Sequence, residues 1–173
     1  MFNGKVQVDN SPSGGEGFFI SSTGACKFKD SLSFTSIVNL GVQFGSSGGT
    51  TTIDSTGTLY FAPGYTPTVS IKNLTKLGSS TQNLNSSANL FVLGPGNTWN
   101  GAFNFEGKGV LLNGNTFNSN ATIKASPASS YSSEGGNVFN GSATIQDSTS
   151  SSYTMQLATY YPDDFNGDVT FIQ

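Results

Sequence analysis

Four times in this chain an aromatic residue is followed by Asn-Gly: Phe2-Asn3-Gly4, Trp99-Asn100-Gly101, Phe139-Asn140-Gly141 and Phe165-Asn166-Gly167. Phe117-Asn118-Ser119 is a looser fifth. A short β-forming run follows each phrase, from Val6-Gln7-Val8 through Ala102-Phe103-Asn104-Phe105, Ala121-Thr122-Ile123 and Ala143-Thr144-Ile145 to Val169-Thr170-Phe171. A chain that repeats aromatic, turn and strand in phase is built by stacking similar units.

Two architectures compete for this pattern. Asn-Gly between alternating apolar residues is the strongest short hairpin signal and favours antiparallel strands in a β-sandwich. A hairpin turn, however, needs a strand on both sides. The segments before the phrases, Gly94-Pro95-Gly96-Asn97-Thr98, Gly135-Gly136-Asn137-Val138 and Tyr161-Pro162-Asp163-Asp164, read as loops, so the phrases read as corners. From Trp99 to Phe117 is 18 residues, to Phe139 a further 22 and to Phe165 a further 26. Steps of that size suit one circuit of a single-stranded parallel β-helix, with coils stacked at about 4.8 Å. Phe would then stack on Phe inside, Asn on Asn at the corner, and Gly would supply a left-handed corner conformation.

Short strands with a period of two are expected over 6–8, 17–21, 25–28, 31–34, 37–44, 50–53, 58–61, 68–71, 88–93, 102–105, 110–112, 121–124, 143–146, 154–158 and 169–172. Residues 17–98 lack the clean phrase but keep this rhythm and read as degenerate coils of the same stack. With coils of roughly 22 residues, residues 1–173 form one all-β solenoid of about seven or eight coils, on the order of 35 Å long. Phe2 and Phe165 open the same phrase 163 positions apart. Residues 2–164 therefore read as one period of a longer tandem array, and 165–173 as the first coil of the next; Met1 reads as an added start.

Composition narrows function. Only 10% of residues are charged, against about 25% in ordinary soluble domains, and Gly, Ser, Thr and Asn fill the difference. Aromatics reach 12%, so the chain has rings to bury and is not a disordered tract. All seven basic residues are Lys, and the net charge is -3. Phosphate backbones select Arg and Lys clusters, so no nucleic-acid partner is expected. The sequence has no His, which removes Ser/His/Asp triads and, with the single Cys26, the usual zinc sites. Cys26 reads as a small core residue. No signal peptide opens the sequence, and no apolar run reaches the roughly 18 residues of a membrane span.

The pattern resembles tandem repeats of very large secreted and surface-anchored proteins of Bacteroidetes. Their "TFNG-x-V-T-F" and "GNTFNG" phrases have counterparts in Asn115-Thr116-Phe117-Asn118 and Gly136-Asn137-Val138-Phe139-Asn140-Gly141. Their "IxFG" and "LxLxNLTQxG" regions correspond to Val42-Gln43-Phe44-Gly45 and residues 69–78. The resemblance spans nearly the whole chain, with Trp99 in place of Phe and Ser119 in place of Gly. It implies a bacterial, extracellular or cell-surface, adhesive or stalk-forming protein, and its motifs are structural.

Few residues group as chemistry would require. Glycosidase-like paired carboxylates are not evident, since the ten acidic residues are scattered. Asp163, Asp164 and Asp168 bracket the last corner and could gather calcium, with Asp9 a weaker counterpart; a turn after Pro162 is the simpler reading. Thr122, Thr144 and Thr170 should align outward, a row to weigh for ice binding, although Gln7 and Asn104 break it. Tyr153, Tyr160 and Tyr161 could stack on sugars or cover a coil edge. Lys72 and Lys76 are too few for a basic patch. The expectation is a non-enzymatic rod without cofactor, metal or assigned ligand site. Its partners would be neighbouring repeats, with surface glycans or end-to-end self-association through open strand edges in addition. The alternative is a carbohydrate-binding or carbohydrate-degrading β-helix.

Overall fold

The computed structural model describes residues 1–9, 17–35, 41–127, 129–148 and 153–173. Among the described residues all 17 strand pairings are parallel and there is no helix. The hairpin alternative is thereby excluded, and the chain is a β-solenoid.

Each coil has three faces. The first carries Ala25–Phe28, Thr50–Ile53, Leu74–Lys76, Thr98–Trp99, Thr116–Phe117, Val138–Phe139 and Asp164–Phe165 as one seven-stranded sheet. Those seven strands span six turns, and a bridge from Phe2 to Phe28 adds a rung at the N-terminal end. The second face carries Val6–Val8, Leu32–Phe34 and Leu59–Phe61 in one sheet, then Gln82–Ser86, Phe103–Gly107, Ala121–Ala125, Ala143–Asp147 and Val169–Ile172 in another. The third carries Phe18–Ile20, Val42–Phe44, Val69–Ile71, Phe91–Leu93 and Val110–Leu112, with Tyr131–Ser132 paired to Met155–Gln156 beyond them.

Alternation puts every second residue of these strands inside. Leu59 and Phe61 are buried while Tyr60 is exposed, and Val42 and Phe44 flank an outward Gln43 in the same way. The core is one continuous column of such residues. Of the expected strand over 37–44, residues 36–40 lie outside the described set, and Val42–Phe44 is a strand. The loops expected before the phrases are shorter than the sequence suggests. Thr98, Val138 and Asp164 belong to two-residue strands with the aromatic that follows. The Asn-Gly pair then forms the corner to the second face.

The middle coils keep phase with the phrases. Ile53 pairs with Lys76 and Lys76 with Trp99, so both occupy the aromatic position. The aromatic column is accordingly interrupted. Phe117, Phe139 and Phe165 stack face to face at 4.8 Å between ring centroids, and Phe2 on Phe28 at 5.0 Å, with Ile53, Lys76 and Trp99 between the two blocks. Such parallel rings add about 0.5–1.5 kcal/mol per pair beyond area burial.

The phrase glycines serve a different purpose from the one expected. Positive φ occurs at Gly45, Gly94, Gly96, Gly114, Gly135 and Gly136 among others, but at none of Gly4, Gly101, Gly141 or Gly167. What the corner requires is a missing Cβ. A Cβ on Gly141 would lie 2.5 Å from the Ser119 carbonyl carbon, and one on Gly167 2.7 Å from that of Gly141. On Gly101 it would collide with the Ser80 carbonyl oxygen. Each of these glycines lets the coil beneath approach. Ser119 shows that the shortest coil accepts a Cβ there. Gly4 has nothing within 4 Å, because no coil of this chain lies beneath it.

Candidate functional site

Two asparagine ladders run along the solenoid. The outer one joins the phrase residues: Asn118 donates through Nδ2 to Asn100 Oδ1 at 2.7 Å, Asn140 to Asn118 at 2.8 Å and Asn166 to Asn140 at 3.0 Å. The sequence foresaw this ladder. It missed the inner one, formed two positions before each aromatic by Asn97, Asn115, Asn137 and Asp163. Asn97 Nδ2 donates to Asn115 Oδ1 at 3.0 Å, Asn115 Nδ2 to Asn137 Oδ1 at 2.9 Å and Asn137 Nδ2 to Asp163 Oδ1 at 2.9 Å. The same amides also donate to the carbonyls of Ile71, Leu93 and Leu112. The three asparagines are buried, so full satisfaction of their amides is what allows them inside. The ladders run in opposite senses, the later coil donating outside and the earlier coil donating inside.

Gln82 performs a related substitution. Its Oε1 accepts from the Leu59 N–H at 2.9 Å and its Nε2 donates to the Leu59 carbonyl at 2.7 Å. A buried side-chain amide thus stands in for a peptide group and joins the two sheets of the second face.

Lys76 is no surface charge. It is 1% exposed in the aromatic position, and its three N–H groups are shared among four acceptors, the carbonyls of Leu77 at 2.7 Å, Ser55 at 3.0 Å and Asp54 at 3.2 Å and Ser80 Oγ at 2.8 Å. Burial lowers its pKa below the ordinary lysine value, and the nearby Asp54 charge opposes that shift. The Ser55 N–H, 2.9 Å from Asp54 Oδ1, lowers the Asp54 pKa; Lys27 at 3.4 Å adds to this, and partial desolvation opposes it.

On the outside, Thr122, Thr144 and Thr170 align in register as expected, with Asn104 next in the row. A second and longer threonine row, Thr52–Thr75–Thr98–Thr116, lies on the first face. The signal for it was the threonine immediately before Trp99 and Phe117, once Lys76 and Ile53 are recognised as the same position.

The acidic group near the last corner does not converge. Asp163 turns inward to take the Asn137 N–H and Nδ2, while Asp164 sits in register with the outward Val138. Among the described residues no three His, Cys, Asp or Glu side chains gather as metal ligands. Asp9 is exposed on the N-terminal coil, far along the rod from that corner. Cys26 is half-buried against the core. Tyr160 and Tyr161 are 77% and 61% exposed, and Tyr153 is 43% exposed. Trp99 fills the interior ring position as expected and is fully buried.

Apolar side chains lie at both ends of the described column. At the N-terminal end Phe2, Val6, Phe18 and Phe28 line a groove of about 180 Å³. At the C-terminal end Met155, Leu157, Phe171 and Ile172 line a cleft of about 450 Å³. Phe2 is 46% and Phe171 63% exposed. No family model, curated protein or solved structure matches the chain.

Proposed function

We propose that this chain is a non-enzymatic structural repeat of a large extracellular adhesin or stalk, a stiff segment that extends and presents surface. The observation that carries this reading is the equivalence of the two ends. Phe165 occupies the first-face position that Phe2 holds, and Val169–Ile172 the second-face position of Val6–Val8. The last coil is thus a copy of the first, ready to be followed by Phe28 and Leu32–Phe34 of a further repeat. A parallel backbone ladder unbroken along the first face, ladders on most of the other two, and a buried core resist bending, as in other quasi-one-dimensional stacks. Low charge and rows of Thr and Asn give a uniform surface suited to weak multivalent contact.

The test is a two-period protein, residues 2–164 followed by 2–173, measured by small-angle X-ray scattering. One period of seven steps at about 4.8 Å is roughly 34 Å long. Two periods should scatter as a single rod of about twice that length. A profile of two jointed beads would refute the array.

The exposure of Tyr160 and Tyr161 favours a second reading, sugar stacking by a carbohydrate-binding β-helix. Micromolar binding of the single chain to one glycan on an array, lost in Tyr160→Ala and Tyr161→Ala, would support it.

A further inference from the structure

We propose that the outer asparagine ladder is a chemical lock, and that Asn100-Gly101 and Asn140-Gly141 are the sites at which the chain modifies itself when a rung opens. The modification is closure of the asparagine onto the following glycine nitrogen to a cyclic imide, which water then opens to aspartate or isoaspartate.

The need for a lock is built into the corner. Close approach of neighbouring coils demands glycine at 101 and 141, where a Cβ would strike the Ser80 carbonyl oxygen and the Ser119 carbonyl carbon. The ladder demands asparagine one position earlier. The two requirements together write Asn-Gly, a pair in which no side chain shields the second nitrogen. At Asn140 the Gly141 nitrogen attacks Cγ, a C–N bond forms, and Nδ2 leaves as ammonia carrying the proton of the glycine amide. Water opens the ring at the side-chain carbonyl to give aspartate, or at the main-chain carbonyl to give isoaspartate.

Among the described residues the Gly101 and Gly141 N–H groups have no hydrogen-bond partner, so the nucleophile is free. What is held is the carboxamide. Asn140 donates from Nδ2 to Asn118 Oδ1 at 2.8 Å and accepts at Oδ1 from Asn166 Nδ2 at 3.0 Å. Asn100 accepts at Oδ1 from Asn118 Nδ2 at 2.7 Å. Ring closure draws the carboxamide off its rung and onto its own backbone, so these bonds must break first. Asn118 holds both sites, and its own successor is Ser119 instead of glycine.

Asn113-Gly114 is restrained differently. There the Gly114 N–H, the nucleophile itself, donates to the Gly135 carbonyl at 2.9 Å, and Asn113 Oδ1 accepts the Glu134 N–H at 2.9 Å. Neither bond belongs to the ladder, which makes this pair an internal reference. Both products damage the corner at 140. A carboxylate has no N–H to give Asn118, and isoaspartate adds a methylene to the main chain where the Ser119 backbone lies against Gly141.

The experiment is peptide mapping by mass spectrometry of the 173-residue chain held at mildly alkaline pH, folded and in guanidinium chloride. Folded Asn100 and Asn140 should deamidate at least roughly tenfold more slowly than in denaturant. Asn118→Ala, which removes an exposed rung, should raise both folded rates roughly three- to tenfold and leave Asn113 unchanged. Asn166→Ala should raise Asn140 alone. Folded rates equal to denatured ones, an Asn140 rate unmoved by either substitution, or a rise at Asn113 matching that at Asn140 would overturn the proposal. The last result would report general unfolding instead of an opened rung.

Discussion

Asn97 hands its side-chain amide to Asn115 3.0 Å away inside the solenoid, and the same amide reaches back 2.7 Å to the Ile71 carbonyl. The inner ladder is therefore part of the backbone hydrogen-bond network, at the corner where the third face turns into the first. Asn115→Ala takes one of two donors from the Leu93 carbonyl, which keeps the Asn113 N–H at 2.8 Å, and removes the acceptor of one buried Asn97 Nδ2 hydrogen. The expected cost is about 1–3 kcal/mol, from that buried donor left unpaired. Asn118→Ala, on the exposed outer ladder, should cost less than about 1 kcal/mol. Urea midpoints at constant m-value separate the two.

Gln82→Leu keeps the volume inside but removes both partners of Leu59. Two unsatisfied backbone groups predict a loss on the order of 2–5 kcal/mol and faster hydrogen exchange at the Leu59 amide. Gln82→Glu buries a carboxylate against the Leu59 carbonyl and should cost at least as much as Gln82→Leu at neutral pH, with part of the loss recovered at low pH where the protonated acid can donate to that carbonyl.

Gly141→Ala forces a Cβ against the Ser119 backbone, for an expected loss of about 1–3 kcal/mol. Gly4→Ala meets nothing and should be neutral or slightly stabilising, through reduced freedom of the unfolded chain. Thermal or chemical unfolding of the pair checks whether the phrase glycine serves close approach or conformation.

Tyr65 and Lys76 give alkaline stability opposite slopes. Desolvation raises Tyr65 from 10.0 to about 12, so its contribution is complete below pH 10 and is lost as pH rises toward 12. Tyr65→Phe should abolish that fall, worth about 2–3 kcal/mol at the upper end. Lys76 has a folded pKa below 10.5, so the unfolded chain holds more protons just under that pH, and stability rises through this window. Lys76→Met should remove the rise. Unfolding free energies from pH 8 to 12 for both variants test the signs.

The solenoid was legible because its signal is periodic: Trp99, Phe117, Phe139 and Phe165 mark successive coils whatever the loops between them do. The inner ladder carried the same steps, since Asn97, Asn115 and Asn137 precede those rings by two. It was hidden because Asn beside Gly and Pro reads as turn chemistry. Lys76 was hidden for another reason. A lysine defaults to solvent, and only the register with Ile53 and Trp99 reveals that alternation sends it inward. The three aspartates of the last corner looked like one group in sequence, but strand alternation directs Asp163 and Asp164 to opposite sides.

The join at Gln82 sets where such a rod yields. On two faces peptide groups connect neighbouring coils throughout this level, but on the third the connection passes through the rotatable side chain of one glutamine. Flexural stiffness is then reduced at the height of Leu59 and anisotropic about the axis, as it is where the third-face sheet breaks and the Leu112 N–H turns to Ser133 Oγ at 3.0 Å. Shear across the solenoid at this level would load the Gln82 seam, with the remaining two faces acting as its hinge.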